Sequence, residues 1–172
     1  MRAISRLAIV GTLALTAAPS VAEAPLPPNP QIDYAGFDRL VREIGPVREA
    51  HRLPWPEFRT LSRTSRAILL DTRSASAFAQ GHLKGAVNLP FSDFTDEKLR
   101  QVLGPDLGRP IYIYCNNNFT DNVAPVVSKR APLALNIPTF INLHGYGYTN
   151  VWELAGQVAM SDPGVGWVSG TS

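Results

Sequence analysis

The sequence predicts an α/β fold in which a parallel sheet is flanked by helices on both faces. Three observations predict it. Ala67–Leu70 and Ile111–Tyr114 are short, wholly apolar runs, the pattern of strands buried on both sides. Segments with helical spacing alternate with these runs. The joints between them carry Gly, Pro, Asn and Ser, which punctuate elements. In such a sheet, ligands bind beyond the carboxyl ends of the strands.

The chain has 172 residues and opens on a targeting pattern. Arg2 and Arg6 form a positive region, Leu7 to Ala18 an apolar stretch, and Ser20-Val21-Ala22 a small-residue cleavage site. Residues 1–22 are expected to be a secretory signal peptide, too short for an ordinary membrane span, with no stable membrane anchor left after its removal. Cleavage there leaves 150 residues, the size of one domain. Arg2 and Arg6 leave with it, so the 16 Lys and Arg become 14, equal to the 14 Asp and Glu. A mature charge near zero gives no reason to expect a nucleic-acid or acidic-membrane partner. The expected location is across the inner membrane, in the periplasm.

Residues 23–32 are Pro-rich (Pro25, Pro27, Pro28, Pro30) and read as an extended linker before a domain over 33–172. Asp33 to Ile44 places Phe37, Leu40, Val41 and Ile44 at helical spacing, with Gly45-Pro46 as a stop signal. This is an N-terminal helical extension of the domain. Leu53 to Leu61 reads as a short helix begun by Pro56, with Trp55 and Phe58 in the core. Ala67–Leu70 is a strand, Ser74–Gln80 a short helix, Ala86–Leu89 a short strand, and Phe91–Leu103 a helix opened by Ser92 or Thr95. Ile111–Tyr114 is the next strand, Thr120–Arg130 the next helix, and Asn150–Leu154 a late strand.

Cys115 is the only cysteine, and an oxidising compartment usually pairs cysteines. An unpaired one is a buried small hydrophobe, an intermolecular link or a functional thiol. Its position between a buried strand and the expected helix from Thr120 would set it before a fan of backbone N–H groups. Those groups and the helix dipole favour the thiolate, which is the nucleophile.

Three segments then fall in order: Asp71-Thr72-Arg73 at the end of the first core strand, Gly81-His82-Leu83-Lys84-Gly85-Ala86 after a short helix, and Ile113-Tyr114-Cys115 further on. This order resembles the rhodanese-like sulfurtransferases, and Gly147 to Gly156 is similar to that family's closing strand. The resemblance spans roughly residues 53–168. It implies a rhodanese-like sheet and a cysteine that accepts a sulfane sulfur as a persulfide, with a second thiol or thiophile removing it. A small sulfur-containing donor and a thiol or thiophile acceptor are the implied partners. No cofactor is implied. Three scattered histidines and one cysteine predict no metal site.

An anionic persulfide needs donors rather than a base, and the N–H groups of Asn116, Asn117, Asn118, Phe119 and Thr120 would supply them as a nest. The loop departs from the frequent family pattern. Asn116 stands where an arginine is common, and Asn118 stands at a glycine position that often needs a left-handed backbone. The loop holds no Lys or Arg, so an anionic donor such as thiosulfate lacks a cationic partner in it. Asp121 occupies the region where a phosphatase of related type needs an arginine, which argues against that reaction.

Asp71 and Arg73 are expected to pair structurally, and His82 to fix a loop by hydrogen bonding. A segment over 132–146, longer than is typical of single-domain relatives, holds Pro138, Phe140, Ile141 and Leu143. It reads either as extra core cover or as a lid over Cys115 with Asn142, His144 or Tyr146 as polar contacts. Two readings from other classes stand beside sulfur transfer: a non-catalytic rhodanese-like binding or regulatory module, and a single-cysteine redox sensor.

Overall fold

The computed structural model describes residues 27–124 and 126–170. The expected signal peptide and Pro25 therefore lie outside the described residues. Residues 27–32 form no helix or strand. The domain is taken from Asp33 onward.

Among the described residues, five α-helices and seven strands follow: α1 (Tyr34–Ala50), β1 (Arg52–Leu53), α2 (Trp55–Leu61), β2 (Ile68–Asp71), α3 (Ala75–Gln80), β3 (His82–Leu83), β4 (Val87–Asn88), α4 (Asp96–Leu103), β5 (Ile111–Tyr114), α5 (Asn136–Gly145), β6 (Val151–Leu154) and β7 (Trp167–Val168). The main sheet has the order β1-β6-β5-β2-β4, and every pairing in it is parallel. β3 and β7 form a separate antiparallel pair.

The period-two alternation of the strands sorts their side chains into two cores. Ile68, Leu70, Ile111, Ile113 and Val151 point to one face, where Leu99 and Leu103 of α4, Phe140 and Leu143 of α5, and Ile44 and Val47 of α1 cover them. Leu69, Tyr112, Tyr114 and Leu154 point to the other, against Phe58 of α2, Phe78 of α3, Leu83 and Trp167. Helices thus cover both faces, as the doubly apolar strands require.

Two elements depart from the expected ones. α1 runs through Gly45-Pro46 to Ala50. Pro46 has no N–H for the Arg42 carbonyl, but Gly45 lacks the Cβ that normally clashes with a following proline ring. The added turn is held by Val47 in the core and by Arg48, which reaches Glu153. The helix expected over Thr120–Arg130 does not form among the described residues. Asp121 instead accepts from the Met160 and Ser161 N–H groups at 2.7 and 2.9 Å, and asparagine side chains take up the backbone of 127–129. Pro125 would also break a helix there.

Smaller differences are at element ends. The Phe91–Leu103 helix is a 3-10 turn (Phe91–Asp93) followed by α4, whose N-cap is Thr95. Strand β1, too short to show a pattern, joins the sheet edge beside β6.

Candidate active site

Cys115 follows the central strand, so it stands at the carboxyl edge of the sheet. Tyr114 points to the α2–α3 face. Alternation sends Cys115 the other way, toward the start of α5.

The helix dipole expected from a following helix is therefore replaced by a different set of donors. Cys115 opens a three-residue 3-10 turn, Asn116–Asn118, and its sulfur accepts the Asn118 N–H. The N–H groups of Asn117, Leu135 and Asn136 also reach it. Two of the four thus come from the cysteine loop and two from the entry to α5. Phe119 and Thr120 contribute none, because their N–H groups bond the Asn116 and Val158 carbonyls.

These donors do not make the thiol acidic. Cys115 is 2% exposed. Burial pushes its pKa up, the backbone N–H groups pull it down less, and the Glu153 carboxylate adds a further upward push. The resting thiol is protonated at neutral pH, contrary to the expectation of a ready thiolate.

Each asparagine of the loop replaces a peptide group in holding it. Asn116 donates to the Val127 carbonyl at 2.8 Å. Asn117 exchanges two bonds with Lys129, donating to its carbonyl at 2.7 Å and accepting its N–H at 3.0 Å. Asn118 is buried. Its Oδ1 accepts from the Cys115 N–H (2.9 Å) and Asn136 Nδ2 (3.0 Å), and its Nδ2 donates to the Leu154 and Gly156 carbonyls. No described non-glycine residue has a positive φ, so Asn118 is not the left-handed position expected. Phe119 faces the core, edge-on to Tyr114 and Trp167, and Thr120 is exposed.

A pocket of about 340 Å³ opens beside the thiol. Thr72, Arg73, Ser74 and Ala77 line it from the β2–α3 side, Pro90, Phe91 and Ser92 from beyond β4, and Cys115, Asn116, Asn117, Lys129 and Leu135 from the loop side. Of the five predicted loop residues, Asn116 and Asn117 line it. The cation missing from the loop sequence is present in space. Lys129, fixed by Asn117, borders the pocket, and Arg73 lies across it. No spacing rule ties residue 129 to residue 115. The paired amide of Asn117, with the Asn116–Val127 bond beside it, brings them together.

Asp71 and Arg73 form the expected ion pair, wholly buried, at 2.6 Å. Arg73 also donates to the Gly81 carbonyl (2.6 Å) and Asn116 Oδ1 (3.2 Å), and the Tyr114 hydroxyl donates to Asp71 at 2.7 Å while accepting the Leu83 N–H. Burial and the Asp71 charge push the Tyr114 hydroxyl well above its usual range, so it stays a donor. His82 is buried, stacked on Phe78, with Nδ1 bonded to the Phe78 carbonyl at 2.8 Å. It fixes the turn and does not border the pocket.

The segment 132–146 is core cover. Phe140 and Leu143 are fully buried on the sheet. The three residues named as lid contacts look elsewhere: Asn142 bonds the Pro138 carbonyl, His144 the Phe140 carbonyl, and Tyr146 the Phe94 carbonyl. His144 lies about 12 Å along the helix from Asn136. Leu135 and Asn136, at the helix entry, are the residues that meet Cys115. Pro138 marks that entry in the sequence, and a helix start aimed at a strand end would have pointed to them. Among the described residues no three His, Cys, Asp or Glu gather as a metal site.

The parallel sheet, the strand-end cysteine and the pocket describe an α/β domain with a candidate site at the carboxyl edge. Residues 55–159 match the Rhodanese-like domain, so the chain belongs to that family. No curated protein matches the chain significantly. Similar solved structures include the Rhodanese_3-like domain of the Alr3790 protein from Anabaena, at 22% identity over 61% of this chain and 94% of that one, with a TM-score of 0.42. The human single-domain sulfurtransferase TSTD1 shares 24% identity over 63% of this chain and 91% of its own, with a TM-score of 0.42. The BH2092 protein from Bacillus halodurans shares 15% over 75% and 77%, at 0.41.

Proposed function

We propose that the protein is a sulfane-sulfur transferase that carries sulfur as a Cys115 persulfide. The observation that carries this reading is a single thiol beside a pocket of about 340 Å³, facing four backbone N–H groups. That volume lies at the small end of the range for small-molecule sites, roughly 300–1,000 Å³. Lys129 and Arg73 at its border favour an anionic donor, thiosulfate included.

Cys115 first gives up its proton to solvent. The thiolate then attacks the outer sulfur of the donor. A sulfur–sulfur bond forms, the donor's own bond to that sulfur breaks, and the leaving group departs with the electron pair (sulfite, for thiosulfate). The persulfide has its terminal charge one atom further out than the thiolate. The Asn117, Asn118, Leu135 and Asn136 N–H groups stabilise it where they stand. An acceptor thiolate attacks that terminal sulfur and restores the Cys115 thiolate.

The second reading is a non-catalytic binding module. The burial of Cys115 and its raised pKa favour it. Those same facts disfavour a redox sensor, since sulfenylation proceeds through an accessible thiolate. Mass spectrometry after incubation with thiosulfate or polysulfide decides. The expected result is a gain of one sulfur atom, removed by cyanide and absent in Cys115→Ser. No adduct with any sulfane donor leaves the binding module as the reading. We further propose export through cleavage after Ala22, which N-terminal sequencing of the mature protein checks.

A further inference from the structure

Behind Cys115 lies a polar chain that the sulfur chemistry above does not use. Glu153, on β6, is 4% exposed. Arg48, on α1, grips both its oxygens, Nε to Oε2 and Nη2 to Oε1, each at 2.6 Å. Asn136 Nδ2 lies 3.4 Å from the same Oε1 and 3.0 Å from Asn118 Oδ1, which in turn accepts the Cys115 N–H. The Asn136 backbone N–H reaches the Cys115 sulfur itself. One residue therefore touches the carboxylate with its side chain and the thiol with its main chain.

A carboxylate at this depth would ordinarily be neutralised or paired. Its only cationic partner among the described residues is Arg48. Arg48 comes from outside residues 55–159, the part that matches the family. The other charged groups around the site are committed or border the pocket: Asp71 is held by Arg73 and Tyr114, and Lys129 stands on the pocket's loop side, tied to Asn117. The first turn of α5 has no ionisable side chain, and Glu49 of α1 bonds Arg48 itself.

We propose that Arg48 is a positioning residue for the Cys115 site: by gripping Glu153 it fixes Asn136 against the thiol and offsets part of the carboxylate charge that opposes the thiolate. The helix preceding the family-matched region is then part of the site. The inference rests on the reading of Cys115 as the sulfur carrier, but its test does not.

The experiment is the pH profile of iodoacetamide alkylation of Cys115 in the full chain, for wild type, Glu153→Gln, Arg48→Met and the double variant. Removing Glu153 alone leaves the Arg48 charge facing the site, so E153Q alkylates faster at neutral pH. Removing both charges returns the profile close to wild type. Arg48→Met alone leaves a bare carboxylate and slows alkylation about tenfold, one unit of apparent pKa. Breaking one side of a buried pair is destabilising, most of all where the charge left bare is the deeper one, and the Glu153 side chain is 5% exposed against 21% for Arg48, so R48M is the variant that fails if any does. The comparison of E153Q with the double variant then decides, since neither keeps an uncompensated carboxylate. Equal profiles for those two overturn the proposal, as does a folded R48M with the wild-type profile. Persulfide formation measured beside it separates the two ideas. A shifted profile without persulfide leaves this inference standing alone, and persulfide with unshifted profiles sinks it alone.

Discussion

At the residue scale, the site is governed by a buried thiol whose pKa is raised above its ordinary value by burial first and Glu153 after the N–H groups are counted. A group raised on folding contributes stability that is full below its unfolded pKa and lost as the pH climbs through the folded one. For Cys115 that window opens near pH 8.5. Wild type is therefore expected to lose stability relative to Cys115→Ser as the pH rises above about 8.5, read from urea midpoints at each pH. A parallel midpoint shift in the two proteins would refute this. Asn118 gives a second prediction. Asn118→Ala leaves the buried Cys115 N–H, Leu154 carbonyl and Asn136 amide short of partners and costs about 3 kcal/mol. Because the backbone at Asn118 is right-handed, Asn118→Gly brings no relief and is at least as destabilising. Both are checked by denaturant unfolding. Cys115, Asp71 and Arg73 were legible from the sequence because strand ends and local order place them. Lys129, Asn136 and Glu153 were not, because each enters the site through a side-chain bond to a distant asparagine or arginine.

At the element scale, β2, β4, β5 and β6 were legible, whereas the two-residue strands β1, β3 and β7 and the helix ends were not. Runs such as Ile111–Tyr114, four β-branched and aromatic residues between Pro110 and an Asn-rich turn, fit a strand covered on both faces. Helix boundaries depended on tertiary contacts. Gly45-Pro46 is a stop signal locally, yet Arg48 and Val47 draw the chain onward into α1. Pro46→Ala restores a donor for the Arg42 carbonyl and is expected to stabilise the protein by about 1–2 kcal/mol. That is about 3 °C in Tm for each kcal/mol, measurable by calorimetry. An unchanged or lower Tm would mean the proline is no burden to α1. The segment 120–130 shows the opposite error. Its helical pattern loses to Asp121 and the asparagine amides, which offer its surroundings better-placed partners.

At the scale of the whole molecule, charge is local. The full chain has a net charge of +2, and no helix among the described residues is long and apolar enough to cross a membrane. On the proposed reading, attraction of an anionic donor falls to Lys129 and Arg73 and not to a general field. Lys129→Ala is expected to raise the apparent KM for thiosulfate about threefold to tenfold with a smaller change in kcat, and added salt should narrow the difference. A kcat loss with KM unchanged would place Lys129 in the chemistry instead.

The strand order has a further consequence, for folding. β1 at residues 52–53 lies against β6 at 153–154, and the cover over Cys115 comes from residues 135–136. Loop closure over that distance makes refolding slow for a domain of this size. Until the last third of the chain docks, the lone thiol is exposed and free to cross-link with another copy. Refolding yield should therefore fall with protein concentration under oxidising conditions and recover with a reductant or in Cys115→Ser.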